Sequence, residues 1–430
     1  MKQSNSKKCL LGIQHVLAMF GATCLVPMLT GLNASIALIC AGLGTLIFHL
    51  ITKRKVPVFL GSSFAFIAAI QYVLHTDQVA SPNNSMIQLE NLANLKGALI
   101  VAGLIYIVFG LIIKFVGYEK VTKILPPVVT GPMIIVIGLR LSSSAVNNAL
   151  YNNGEFSLRC ALVAFIVVLV IVCISVFTKG FISLMPILIA LTIGYIISFP
   201  LGVADAKEWW NSITSASFLS FTDASIRDQL FVLPRFDLSA ILAIAPISIV
   251  TIIEHVGDIT TNGAVVGQNF IADPGVHRTL MGDGVATALA GCLGGPANTT
   301  YGENTGVLAV TKNYDPQILR IAACFALLLG IFGKIGAVIQ NVPLPVSGGI
   351  SIVLFGMIAS VGVRILITNR VDFSNSRNLM VASLIFVLGI GIDNISITKT
   401  VTISGLAVAA LVGILFALVL PEPKSADITE

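Results

Sequence analysis

The chain has 430 residues, of which 56% are hydrophobic and only 10% charged, and its mean hydropathy is +0.95. A water-soluble chain of this length exposes far more charge, so composition excludes an ordinary soluble domain and predicts a polytopic membrane protein. The formal net charge of +5 follows membrane topology, as the placement of Lys and Arg indicates, and implies no nucleic-acid partner.

In chain order, apolar runs long enough to cross a bilayer lie near 9–29, 34–51, 97–117, 124–141, 160–177 and 181–203. The first is too long and too embedded to be a cleaved leader and reads as a span. A shorter, polar-interrupted run at 58–73 falls between the second and third of these. The second half offers 238–258, 316–340, 346–367 and 398–420, with shorter or glycine-interrupted runs at 279–293, 295–311 and 379–393. Together they predict about fourteen crossings in an all-α membrane protein.

Basic residues test that count. Lys2, Lys7 and Lys8 precede the first span; Lys53, Arg54 and Lys55 follow the second, Lys120 and Lys123 the fourth, and Lys179 the sixth. Arg278, Lys312, Arg370 with Arg377, and Lys424 follow alternate spans of the second half. The positive-inside rule assigns all these ends, and both termini, to the cytoplasm. The opposite loop 74–95 holds Asp77 and Glu90 but no Arg or Lys, and carries an Asn83-Asn84-Ser85 sequon of little weight. The long connection 204–236 carries Trp209 and Trp210, which suit an interfacial aromatic anchor. Seven cysteines, with no CxxC pair, read as small hydrophobes.

Punctuation recurs between the halves. IQHV at 13–16 is echoed by IEHV at 253–256, GSSFAF at 61–66 by GENTGV at 302–307, and LPPVVTG at 125–131 by PLPVSGG at 343–349. Seven spans per half make the second repeat enter the membrane from the opposite side, so the repeats are expected to be inverted, with a site near the midplane where their broken segments, 57–72 and 295–311, meet. Irregular backbone at that depth is tolerable only where it lines a cavity or meets a ligand.

The stretch NTTYGENTG at 298–306 puts a carboxylic acid, Glu303, into such a segment. An acid at the bilayer centre costs roughly 2.5 to 3.5 kcal/mol on insertion scales and marks a pathway more often than a structural bond. Glu254 and Asp258, four apart on one span, share a helix face. Asp258 stands near the cytoplasmic end of that helix and reads equally as a solvated acid or as a partner sharing a proton with Glu254. His255 points about 100° away from Glu254. It and His15, which neighbours Gln14, are taken as packing residues between helices. Arg140, Lys334 and Asp393 lie near enough to span ends to snorkel. Carboxylates facing one cavity accept hydrogen bonds when ionised and can donate when protonated, which suits proton-coupled uptake of a ligand rich in N–H donors.

The segment ENTGVLAVTKN at 303–313, with the QH of span 1, the GSSFAF of span 3 and the EHVGD of span 8, resembles the nucleobase-ascorbate transporter family (nucleobase/cation symporter-2). Glu at the head of the signature, preceded by NTTYG, is similar to the bacterial uracil permease branch. That resemblance implies two inverted repeats of seven, short strands in spans 3 and 10, and two bodies: a core of 1–123 and 237–341, and a gate of 124–236 and 342–420, followed by a cytoplasmic tail, 421–430. It implies an inner-membrane homodimer that imports uracil with a proton and needs no cofactor or metal. Carried over by position, Glu254 and Glu303 would hold the ring edge, with backbone at Phe64 and Gly302 completing the polar contacts. The Phe64 and Tyr301 side chains would wall the pocket; Gln14, His15 and Asn304 would support it. The branch carries His where this chain has Asp258, which with Glu254 is the expected proton-coupling pair. Other readings are a xanthine or purine symporter, an anion exchanger of like architecture, and an intramembrane hydrolase using two acids.

Overall fold

The computed structural model describes residues 5–74, 89–117, 126–152, 154–396 and 402–421. The sequon, Asp77 and Lys2, Lys120, Lys123 and Lys424 lie outside the described residues. The fold is mostly helical, and among the described residues seven helices of 18 residues or more are long and apolar enough to cross a membrane.

The chain opens with α1 (Asn5–Thr30) and α2 (Ala34–Ile51), the latter capped by the Asn33 side chain, which accepts from the N–H groups of Ser35 and Ile36. Strand β1 (Leu60–Ser62), a 3-10 turn (Phe64–Phe66) and the short α3 (Ile67–Leu74) come next, then α4 (Leu89–Val116). Helices α5 (Pro127–Arg140) and α6 (Ser142–Leu150) adjoin at Leu141, followed by the strands β2 (Tyr151–Asn152) and β3 (Glu155–Phe156). Then come α7 (Leu158–Phe177), α8 (Pro186–Ser198), α9 (Ala206–Ser215) and α10 (Ala224–Phe231). The second half holds α11 (Leu238–Val266), α12 (Val276–Leu293), β4 (Asn298–Thr300), α13 (Gly302–Thr311), α14 (Pro316–Ile331) and α15 (Gly333–Gln340). It ends with α16 (Leu344–Thr368), α17 (Ser376–Gly391), the strands β5 (Asn394–Ser396) and β6 (Thr402–Ser404), and α18 (Gly405–Val419).

Strand β1 pairs antiparallel with β4, Leu60 opposite Thr300 and Ser62 opposite Asn298. The ladder runs on at both ends, through Tyr301 N–H to Phe59 C=O (3.0 Å) and Ser63 N–H to Ala297 C=O (2.8 Å). A two-stranded ribbon in a membrane has two raw edges, and flanking helices supply partners for them. Thr45 of α2 accepts from Leu60 N–H at 2.9 Å, and Thr287 of α12 donates to Asn298 C=O at 3.0 Å. The Asn298 amide in turn donates to the Cys40 carbonyl of α2. Gly61 is required by contact: a Cβ there would meet the Tyr301 ring at 2.3 Å.

Three features differ from the sequence reading. The run 316–340 is two helices, because the connection from α9 to α10 inserts at its middle: Gly333 N–H goes to Phe218 C=O (3.0 Å), and Ser220 Oγ donates to Gly330 C=O (2.6 Å). The two tryptophans are not alike: Trp209 Nε1 donates to Tyr195 Oη of α8 at 2.6 Å and its ring packs against Phe199, while Trp210 is exposed. Arg140 does not snorkel outward either. Its guanidinium donates to the carbonyls of Gly389, Ile392 and Asp393, closing the C-terminal end of α17.

Helix α4 lies along α12 and α11, and α2 along α14 and α12. Helix α16 lies along α5, α6 and α7, and α17 along α18 and α5. Close crossings rest on small residues: a Cβ on Gly103 of α4 would meet Gly284 C=O at 2.4 Å, and one on Gly284 would meet Gly103 C=O at 2.7 Å. Gly103→Leu is therefore expected to lower stability by about 1–3 kcal/mol through overpacking. Gly356→Ala, where a Cβ meets nothing within 4 Å, should leave it unchanged or slightly raised. Thermal unfolding of the purified variants in detergent checks both.

Candidate functional site

Helix α11 presents two polar faces. His255, Ile259 and Asn262 recur at helical spacing and are buried, whereas Glu254 and Asp258, one turn apart on the adjoining face, are only partly so. The buried face grips the strand crossing. His255 Nδ1 lies 2.9 Å from Thr300 Oγ1 of β4 and 2.8 Å from Asp283 Oδ2 of α12, with both His255 and Asp283 fully buried.

Glu303 occupies the first turn of α13, which starts directly after β4. Its two successors fix that short helix laterally. The Asn304 amide donates to the His15 carbonyl (3.0 Å) and to His15 Nδ1 (3.1 Å), and the Thr305 hydroxyl accepts from the Asn262 amide (3.1 Å). For Nδ1 to accept, the neutral His15 ring carries its proton on Nε2. Beside Glu303 there is space: a Cβ on Gly302, or on Gly257 of α11, would meet nothing within 4 Å. The carboxyl of Glu254 lies in coulombic range of Glu303 and Asp283, and that of Asp258 in range of Glu254, Glu303 and Asp283, with Arg364 of α16 as the basic group.

The remaining residues singled out in the sequence fall around this centre. Phe64, half-buried, begins the 3-10 turn after β1 and packs where three apolar clusters meet. The Tyr301 ring is turned into the protein interior, 3% exposed, with its hydroxyl donating to Ser62 C=O at 2.9 Å, so it braces the strand crossing. Gln14 is half-buried, and its Oε1 has no hydrogen-bond partner among the described residues. A cleft lined by Ile259, Thr260, Gly263 and Phe270 opens in the turn of α11 just beyond Asp258. Among the described residues no three His, Cys, Asp or Glu side chains group as a metal site.

Sequence reasoning passed over Asp283, Asn262 and Thr305. For Asp283 a signal was present: it is the one carboxylate in the run 279–293, and a lone acid in an apolar stretch asks for a partner.

The chain matches the model of the Permease family over residues 6–398. It belongs to that family. Among similar relatives, this permease is 44% identical to the uracil permease of Bacillus caldolyticus over 97% of this chain and 93% of the relative. It is 43% identical to the uracil permease of Bacillus subtilis (strain 168) over 97% and 94%, and 36% identical to that of Escherichia coli (strain K12) over 95% and 90%. The transmembrane domain of a cyanobacterium bicarbonate transporter, BicA, superposes with a TM-score of 0.65 at 18% identity, covering 96% of each chain. The murine Slc26a9 anion transporter in its inward-facing state gives 0.68 at 10% identity, covering 97% of this chain and 68% of its own. At such identities these two show a shared fold and nothing of substrate. Family membership makes this permease a multi-pass membrane transporter and sets aside the hydrolase reading.

The His255–Asp283 contact generates a prediction of its own. Taking away the polar group that faces a buried imidazole leaves it without that neighbour, so Asp283→Ala should cost about 1–3 kcal/mol of stability. A melting temperature within a degree of wild type in detergent would contradict that.

Proposed function

We propose that this permease is a proton-coupled symporter that imports uracil across the cytoplasmic membrane by alternating access. The observation that carries the reading is that Glu254 and Glu303, both partly buried, stand on the contacting helices α11 and α13 beside the open space at Gly302. Uracil offers ring N–H donors and carbonyl acceptors. Carboxylates accept from the former, and free N–H groups at a helix N-terminus donate to the latter. In this reading Glu254 and Glu303 bind the ring edge, main-chain groups at Phe64 and Gly302 complete its polar contacts, and Phe64 supplies an apolar wall. Tyr301, with Gln14, His15 and Asn304, holds those groups in register. The names of the relatives favour uracil; a purine would have to fit the same edge, and competition by xanthine tests it.

Two inverted repeats of seven segments are part of the proposal. They are supported by the antiparallel pairing of β1 with β4 and by Thr45 and Thr287 at the two ribbon edges. The helix contacts support a core of 1–123 and 237–341 against a gate of 124–236 and 342–420, since α1, α2, α4 and α11 to α14 pack together and α16 packs with α5 to α7. Residues 421–430 would be a cytoplasmic tail, both termini would be cytoplasmic, and the assembly would be a homodimer.

An anion exchanger of like architecture is the second reading, since the shared fold does not itself choose the substrate. Negative charge at Glu303 opposes an anionic ligand, and bicarbonate in the competition series decides.

Glu303→Gln should fold yet bind uracil more weakly by about 1.5 to 3 kcal/mol, because an amide loses the charge-assisted bond and turns a donor toward a ring donor. Near-normal affinity in the purified variant would remove Glu303 from the site.

Uptake into proteoliposomes should require an inward proton gradient and collapse with a protonophore. A neutral pyrimidine gains nothing from the membrane potential, whereas one accompanying proton gains about 2.3 kcal/mol per 100 mV. Strict sodium dependence, or accumulation without a gradient, would overturn proton symport.

Asp258 and Glu254 are proposed to share a proton across one helical turn, next in sequence to the cleft lined by Ile259 and Thr260. Asp258→Asn should lose concentrative uptake near neutral pH while keeping uracil affinity. Wild-type rate and pH dependence in that variant would reduce Asp258 to a solvated helix-end acid.

A further inference from the structure

We propose that Asn262 is a positioning residue for transport: a single side-chain amide on α11 that clamps both broken segments and so fixes the carboxyl of Glu303. The inference rests on the reading of Glu303 as a ligand-binding acid and extends it to the part of the protein that aims that acid.

Asn262 lies two turns beyond His255 on the buried face of α11 and is itself fully buried. Both amide hydrogens are committed. One goes to the carbonyl of Pro57 at 3.0 Å, in the extended segment leading into β1, and the other to Thr305 Oγ1 at 3.1 Å, two residues after Glu303 in α13. Three elements distant in sequence therefore meet at one nitrogen: the entry to the first broken segment, the second broken segment, and the helix that carries Glu254 and Asp258.

The chemistry specifies the residue type. The two acceptors need two donors diverging from one atom at a fixed angle, which a primary amide provides, whereas a hydroxyl provides one and a carboxylate none. Flipping the amide would set its oxygen against the Pro57 carbonyl, so the orientation is unambiguous. Pro57 has no N–H, so its carbonyl is the polar group through which that residue can be held. Its neighbours Val56 and Val58 pack with Ile259 and Phe270, which brings the segment to the α11 face where the amide waits.

Helix α13 spans only ten residues, Gly302–Thr311. A helix that short has little stability of its own and takes its position from its neighbours. Asn304 ties it to α1 on one side, and Thr305 ties it to α11 on the other. Releasing the second tie lets α13 turn about its axis and carries the Glu303 carboxyl away from Glu254. A buried amide present only for packing would lack this effect on ligand affinity.

The test measures equilibrium binding of radiolabelled uracil to purified full-length variants, with monodispersity and melting followed in parallel. Asn262→Leu, close in volume and without donors, should weaken binding by about tenfold, and Thr305→Val should weaken it in the same direction, as expected for loss of a buried bond. The double variant should be no weaker than Asn262→Leu alone, because both changes break the same bond. Thr305→Ser, which keeps the acceptor oxygen and loses only a methyl group, should bind as wild type. If Asn262→Leu does not fold, the Thr305→Val and Thr305→Ser comparison decides: equal affinity in the two overturns the proposal. Additive losses in the double variant also overturn it. Glu303→Gln is run alongside. If it binds normally, the site reading itself falls. If it loses binding while Asn262→Leu and Thr305→Val keep it, only the positioning role falls.

Discussion

Backbone N–H and C=O groups cannot be left unpaired in hydrocarbon, and the rest of this structure is arranged around the crossing of β1 with β4, where helices stop short of satisfying them. Strands β1 and β4 take three residues each out of helical geometry in the middle of the chain's most apolar surroundings. Their inner edges pair with each other. Their outer edges are met by hydroxyls from Thr45 and Thr287, and the Asn298 amide ties the crossing to α2. Two helix ends can then face one small region: the 3-10 turn that begins at Phe64, and α13, which begins at Gly302. On the proposed reading, main-chain donors at those two helix ends are an asset, because a polar ligand can meet them.

Helix α11 separates buried contacts from partly open acids by rotation alone. A residue and its successor point about 100° apart, so Glu254 and His255 serve different masters although adjacent. The buried face reaches Thr300 and Asp283 through His255 and reaches Pro57 and Thr305 through Asn262. The adjoining face leaves Glu254 and Asp258 partly open. Rigid support and accessible acid thus come from one helix, and displacement of the crossing would be felt at the acids directly.

Much of this was legible in the sequence because membrane folding enforces simple signals. An acid and an interrupted apolar run drew attention to 295–311, and the echo of IQHV in IEHV drew it to α1 and α11, each with a His that meets that segment. Partners far away in sequence were not legible. Asn262 is 205 residues from Pro57 and 43 from Thr305, and no local pattern announces that they meet. The break at Phe332 has its cause in Phe218 and Ser220, the latter 110 residues from the carbonyl it caps, so a continuous apolar run looked like one span. The direction of the Tyr301 ring was not legible for a similar reason: it lies where Gly61 has no side chain across the ribbon, a contact that exists only once the register is fixed.

The same framework carries different cargo in other proteins, as the likeness to a bicarbonate transporter and to an anion transporter indicates. A helix that begins inside the membrane presents a positive partial charge and unpaired donors at its N-terminus, which by itself favours an anion. In this permease the first turn of that helix carries Glu303, and Glu254 stands in range across the gap. The added carboxylates offset the helix-terminal field and turn a donor-only surface into one that both donates and accepts. A neutral ring with N–H and C=O on the same edge matches that mixture, whereas a small anion meets repulsion from the acids and leaves their acceptor sites unmet. On the proposed reading, then, selectivity resides in what is placed on the helix terminus, while the ribbon and the clamps that aim it belong to the fold.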